Sequence, residues 1–391
     1  MKNKIQQSFK PCILITTVLT IFLFLFNLDQ ISSPGFLISI TFFFLVYLLI
    51  FSIGKENILV LYQGWIQRKR NSALIFPAIL FLIFDTYLMI NGQNPLKDNF
   101  LLVLYILFFP VVAFMLRKDT SKKIGWFDFT VFVLTLLPTA FVEVKQQGEL
   151  PFKGVGFDSL FHVMIILTAI YSFGIVRGIK EIGFFPEWKW KSFLTAISSW
   201  TTFYILVLIL GFSVDFIRVI GYSEPFGLVI KSVLFTLIGT YLHTALFEEL
   251  FFRGILQNML AKRIAQARSW KIFWAIGFVI LLGCAILTGY TLDGKMKWFP
   301  AFITVLLFTA AWLIEKSGKF QMGLYTSLAL TGVTFGLVHY HAKSIIYIGL
   351  ACVAGWAYGY TYIKTKNVFY SALVHTLVNT SVMIFGLKMM R

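Results

Sequence analysis

Thirteen runs of predominantly apolar residues, broken by short basic clusters, leave this chain few ways to fold. A helix crosses a bilayer with about 20 such residues. Runs of roughly that kind lie near 12–27, 36–53, 73–91, 100–116, 126–143 and 158–177, then near 192–213, 228–252, 271–290, 298–315, 323–340, 344–362 and 368–388. Of the 391 residues 58% are apolar and 13% charged, against roughly 25% charged in a soluble domain. A water-soluble globule and a disordered chain are both excluded. The expectation is an all-α, polytopic transmembrane helical bundle of about eleven to thirteen spans. The first run reads as a retained anchor rather than a cleaved signal, because Pro11 precedes it and no small-residue cleavage site follows Phe22-Leu23-Phe24-Leu25-Phe26.

Basic residues outnumber acidic ones 34 to 17. In a soluble chain this excess points to nucleic acid, but here the basic residues sit between the apolar runs, so the lipid bilayer is the partner and nucleic acid is not. With the N-terminus placed in the cytoplasm, the cytoplasmic segments carry 23 Lys and Arg and the opposite ones 9. Positive residues stay inside, so the N-terminus is expected to be cytoplasmic. The three cysteines, Cys12, Cys284 and Cys352, all lie in apolar runs and exclude a disulfide-stapled secreted domain. The segment 177–192, which carries Pro186, Trp188 and Trp190 among basic residues, reads as an interfacial stretch. It separates an N-terminal transmembrane region, 1–185, from a C-terminal one, 186–391. In the first region Asp85, Asp128 and His162 stand apart from one another and read as helix-end or packing residues.

Ionisable groups within membrane spans are costly and mark functional sites, and the C-terminal region holds three sets. Glu248 and Glu249 precede Arg253 in HTALFEELFFRGILQ. Glu249 and Arg253 are four residues apart and share a helix face, so the arginine is expected to pair with Glu249. Glu248, about a quarter-turn away, is left facing a cavity as a candidate base. Phe335 and His339 form a second i,i+4 pair beside Gly336, and His375 and Asn379 a third. One helix bearing His375 and Asn379 presents two donors to one side, the arrangement that holds a developing oxyanion. His341 points the other way round its helix and His243 reads as a packing residue. No serine or cysteine lies beside a base, so the set favours water as the nucleophile. A zinc ion on Glu248, His339 and His375 is the alternative, although no HExxH pattern supports it.

EExxxR (Glu248, Glu249, Arg253), FxxxH (Phe335, His339) and HxxxN (His375, Asn379), in this order on separate helices, resemble the motifs of the CPBP family. Its members are the type II CAAX prenyl endopeptidases and the bacteriocin-processing, Abi-like intramembrane proteases. Gly355 and Gly359, followed by Thr365-Lys366-Asn367 before the His375 helix, fit the same pattern. The resemblance covers roughly 190–391. It implies an intramembrane endopeptidase acting on a membrane-anchored peptide or protein. In that reading Glu248 is the general base, His339 helps activate water, Glu249 and Arg253 position the site, and His375 and Asn379 form the oxyanion pocket. The favoured mechanism requires no cofactor, although family members are commonly labelled metalloproteases.

Two departures accompany the resemblance. Eighty-two residues separate Arg253 from Phe335, and the two apolar runs between them read as an inserted helical hairpin at about 271–315. The first 185 residues lie beyond the family core. Depth poses a further requirement. Were the Glu248 helix to stop at 252, Glu248 and His339 would lie toward opposite sides of the membrane. The Glu248 helix is therefore expected to continue through Gln257 to about Lys262, and the His339 helix to run on past His341. The rival readings are a secondary transporter with a Glu/His proton relay and a non-catalytic membrane scaffold. With no eukaryotic sorting signal recognised, a bacterial inner (plasma) membrane is the expected location.

Overall fold

The computed structural model describes residues 2–32, 35–92, 100–117, 123–141, 157–292, 294 and 296–390. Nearly all of them are helical. The chain divides into two compact units, Met1–Glu187 and Trp188–Arg391.

The first unit contains α1 (Lys2–Phe26), α2 (Phe36–Ile53), α3 (Glu56–Arg68), α4 (Ile75–Ile90), α5 (Phe100–Leu116), α6 (Trp126–Phe141) and α7 (Phe157–Ala169, continuing as a π-helical stretch to Val176). Residues 142–143, the expected end of the fifth span, lie outside the described residues. The basic stretch between the second and third apolar runs is itself helical, as α3. None of the residues of α3 is buried, and Val60, Leu61 and Trp65 stand exposed, as on a helix lying at an interface. Aromatic rings fill the core: Phe42 stacks on Tyr87 at 3.8 Å and Phe76 on Tyr171 at 4.4 Å. The buried tyrosine hydroxyls find partners, Tyr87 at Ser39 Oγ (2.9 Å) and Tyr171 at the Ala73 carbonyl (2.9 Å), as apolar surroundings require.

The second unit contains α8 (Trp190–Ser213), α9 (Phe226–Ala267), α10 (Trp270–Thr291), α11 (Phe299–Lys316), α12 (Leu324–Val338), α13 (Ile345–Thr365) and α14 (Val368–Ile384). A short antiparallel pair, β1 (Ile217–Val219) and β2 (Leu387–Met389), joins the segment after α8 to the chain end. Among the described residues, eight helices are long and apolar enough to cross a membrane, and three shorter apolar helices accompany them. The protein is an integral membrane protein, a polytopic helical bundle.

The Glu248 helix extends as expected, and beyond: α9 is 42 residues long and runs to Ala267. It is not uniform. π-helical stretches at Thr240–Ala245 and Leu250–Gln257 flank a single α-helical turn, Leu246–Glu249. Such widened turns are rare and concentrate at functional positions.

The expectation for the His339 helix is corrected. α12 ends at Val338, and the chain tightens into a 3₁₀ turn, His339–Ala342, closed by Lys343 in the left-handed region at φ 52°. No extension is needed, because 15 residues span only about 22 Å at 1.5 Å per residue, short of the roughly 30 Å hydrocarbon layer.

α12 and α13 meet along small residues. A Cβ on Gly332 would lie 3.2 Å from the Trp356 nitrogen, and one on Gly336 would lie 2.2 Å from Cys352 Sγ. Close backbone approach of this kind is how helices associate in lipid. The α13–α14 turn follows from local chemistry, with Lys366 left-handed at φ 53° and the Asn367 side chain accepting from the Phe369 N–H at 2.8 Å. At the other end of α12, both carboxylate oxygens of Glu315 on α11 accept N–H groups from Gly323, Tyr325 and Thr326 at 2.9–3.1 Å, which caps the helix that carries His339.

Candidate active site

The one α-helical turn between the two π stretches presents the carboxylates. Glu249 and Arg253 are both fully buried, and Arg253 Nε donates to Glu249 Oε2 at 2.9 Å, as their i,i+4 spacing implies. From α14, His375 Nδ1 meets the other oxygen, Glu249 Oε1, at 3.1 Å. A carboxylate can only accept here, so His375 carries a proton on Nδ1. Its Nε2 lies 3.9 Å from Glu248 Oε2, too far for a direct hydrogen bond.

Arg253 leaves Nη1 and Nη2 without hydrogen-bond partners among the described residues. Aromatic faces compensate: the guanidinium carbon sits 5.1 Å from the Phe335 ring centre, 5.6 Å from Phe252 and 5.8 Å from Tyr358, within cation–π range. Phe335 is the hub of this arrangement. Its ring also meets His339 at 4.8 Å and His375 edge-on at 5.6 Å. The phenylalanine of FxxxH thus spaces the arginine from the two imidazoles.

His339 opens the 3₁₀ turn, with Nδ1 2.7 Å from the Phe335 carbonyl oxygen. Because a carbonyl only accepts, Nδ1 holds the proton and the lone pair of the neutral ring is on Nε2. His339, His375 and Asn379 line one chamber of about 170 Å³, whose remaining wall is mostly apolar and aromatic. Glu248 is not part of that wall. Its half-buried side chain stands behind His375, and Oε2 is buried without a hydrogen-bond partner among the described residues.

All seven motif residues therefore gather in the second unit around His375 and the chamber. His341 is exposed, with Nδ1 3.2 Å from the Val338 carbonyl oxygen, and His243 does not line the chamber. The sequence reading missed Tyr358, which stacks on His375 at 4.6 Å with ring planes 11° apart. Its signal was present, an aromatic residue between Gly355 and Gly359 on the close-packed helix. It also missed the β1–β2 pair, which brings Ile217 and Met389 to the apolar end of the chamber.

Zinc ligation was tested on the same geometry. Among the described residues no group of three or more His, Cys, Asp or Glu side chains is arranged to hold a metal ion. His375 Nδ1 is committed to Glu249, which leaves Nε2 as the ring nitrogen that faces a bound group.

Residues 230–324 and 316–381 match the sequence model of a family described as Rce1-like, type II CAAX prenyl endopeptidase. The matched segments include all seven motif residues, and the first runs through both α10 and α11. No curated protein and no solved structure matches the chain. The family match supports the CPBP resemblance carried by EExxxR, FxxxH and HxxxN.

Proposed function

We propose that the second unit, similar over residues 230–381 to CAAX-type endopeptidases, hydrolyses a peptide bond of a membrane-associated substrate with water activated by Glu248 and His339. One observation carries this reading: the unbonded Glu248 Oε2 stands 3.9 Å from His375 Nε2, behind a chamber that His339, His375 and Asn379 share.

In this reading a water between Glu248 and the two imidazoles gives its proton to Glu248 as its oxygen attacks the substrate carbonyl carbon. His339 Nε2 orients that water by accepting its second proton in a hydrogen bond. The carbonyl oxygen, now negative, is held by the Asn379 amide and by His375 Nε2–H. Collapse of the tetrahedral intermediate breaks the C–N bond, and Glu248 returns the proton to the leaving amine. The oxyanion role requires His375 to carry a proton on each ring nitrogen, one shared with Glu249 and one aimed at the oxyanion. Glu249 then acts by positioning: it holds Arg253 with one oxygen and His375 with the other.

The test is cleavage by the full chain in lipid vesicles, with a farnesylated CAAX peptide and an unlipidated single-span peptide as probes. Wild-type cleavage lost in both Glu248→Gln and His339→Ala supports the mechanism, and cleavage at wild-type rates by both variants overturns it. Chelator treatment followed by zinc add-back addresses the metal: activity that falls and then recovers would overturn the metal-free form of the mechanism. The location is proposed as a bacterial plasma membrane with a cytoplasmic N-terminus, which membrane fractionation and cysteine accessibility at the two ends of α1 would check.

A further inference from the structure

The chamber has a neighbour. A groove of about 870 Å³ runs along the outside of the second unit between α8 and α13. One residue belongs to the walls of both spaces: Phe203, 5% exposed. On α13 the two linings alternate, with Ala351 and Ala354 facing the chamber and Val353 and Ala357 the groove. Phe203 is therefore the α8 ring common to both spaces, while α13 parts them with Trp356 and Tyr360 on the groove side as well as these smaller side chains.

The α8 wall of the groove is unusual for a helix in lipid. Thr195, Ser198, Ser199 and Thr202 place hydroxyls along it at i, i+3, i+4 and i+7, on one helix face. Thr195 returns its proton to the Lys191 carbonyl at 2.9 Å, whereas Ser198, Ser199 and Thr202 make no hydrogen bond among the described residues. A lipid tail has nothing to offer these groups. An unwound peptide does: hydrolysis needs an extended segment, and non-helical backbone at membrane depth is tolerated only where protein or water satisfies its N–H and C=O groups.

Resting on the protease reading above, we propose that the α8–α13 groove receives the unwound peptide segment of the substrate from the bilayer, and that Phe203 is the gate through which that segment passes to His339, His375 and Asn379. The hydroxyl row supplies the hydrogen bonds the segment loses on unwinding. Phe203 sets which segments pass by its bulk, which makes it a specificity-determining residue.

The test uses the full chain carrying Glu248→Gln in phosphatidylcholine vesicles, with a photo-crosslinking benzoylphenylalanine at position 199 in the groove or at position 280, where Ile280 is 58% exposed on α10. The probe is a fluorescent single-span peptide. Capture of the peptide from position 199, competed by unlabelled peptide and missing from position 280, supports the groove. Equal capture from both positions, or capture of lipid alone, overturns it. In the catalytically intact chain, kcat/KM is compared for the anchored peptide and for a short water-soluble peptide of the same cleavage sequence. Phe203→Trp should lower the anchored-to-soluble ratio by about tenfold or more, and Phe203→Ala should raise it, by the discrimination that side-chain bulk provides. A ratio unmoved in both variants, with unchanged thermal unfolding, overturns the gate. Competed capture at position 199 in a chain that cleaves neither peptide upholds the groove and defeats the protease reading, so the two fail separately.

Discussion

Asp128 and Glu249 are both carboxylates with no exposed surface, and both accept hydrogen bonds from arginine, yet their surroundings differ in kind. At the start of α6, Asp128 Oδ1 meets Arg117 at 3.1 Å and Arg177 at 2.6 Å, while Oδ2 takes the Gly125 N–H at 2.8 Å and Arg177 Nη2 at 3.3 Å. The spare arginine nitrogens go to the Lys123 carbonyl. Nothing there is left to react, and the cluster pins the ends of α5, α6 and α7. In the second unit, Glu249 is equally satisfied, but its neighbours are not: Glu248 Oε2 and both Nη atoms of Arg253 have no hydrogen-bond partner among the described residues, and a chamber lies alongside. Buried polar groups are normally paired. Satisfaction marks a structural cluster, and unspent hydrogen-bonding capacity beside a cavity marks a candidate catalytic one.

Exchanging charge in each cluster is the sharpest way to break this contrast. Glu248→Gln keeps the shape of the side chain but cannot take a proton, so peptide cleavage should fall by about 10²–10⁴-fold with the melting temperature in detergent unchanged. Near wild-type turnover would place Glu248 with Asp128 among the structural carboxylates. The converse substitution, Asp128→Ala, strands two arginines that are only 9% exposed. It should cost about 3–5 kcal/mol of stability, seen as early thermal unfolding of the first unit, and little loss would contradict the pinning role.

Asn379→Ala sharpens the comparison within the site itself. If the amide steadies an oxyanion, kcat should drop by about 10²–10³-fold with KM little altered; a change confined to KM would make Asn379 a binding residue instead. The smallest effect is expected at Glu315, a carboxylate that caps a helix and does no chemistry. Glu315→Gln should lower stability by about 1 kcal/mol and leave kcat alone, and a larger loss of activity than of stability would give the α10–α11 hairpin a part in shaping the site.

Much of this was legible in one dimension. Span positions follow from apolar run length, and the thirteen runs reappear as helices because lipid leaves the backbone no other way to satisfy itself. The pairs Glu249–Arg253, Phe335–His339 and His375–Asn379 follow from 3.6 residues per turn. The expected continuation of the Glu248 helix through Gln257 to about Lys262 was also correct. The His339 helix was misjudged because its depth was argued from full-length crossing, whereas α12 is too short to cross.

The residues that turn three helices into a chamber were not legible. Tyr358 stacks on His375 across 17 positions of sequence and Phe203 stands between chamber and groove, and helical periodicity alone sets neither ring apart from the rest of the 44 phenylalanines and 16 tyrosines. Read alone, the sequence places the chain in a membrane and shows where its apolar helices lie and which side chains share a helix face, because hydrophobicity and helical periodicity act over a few turns. Tertiary packing put His375 of α14 on the second oxygen of Glu249 and left the space beside them walled rather than filled. Both depend on how closely helices distant in sequence approach, and packing distance is a property of pairs of helices, not of either one.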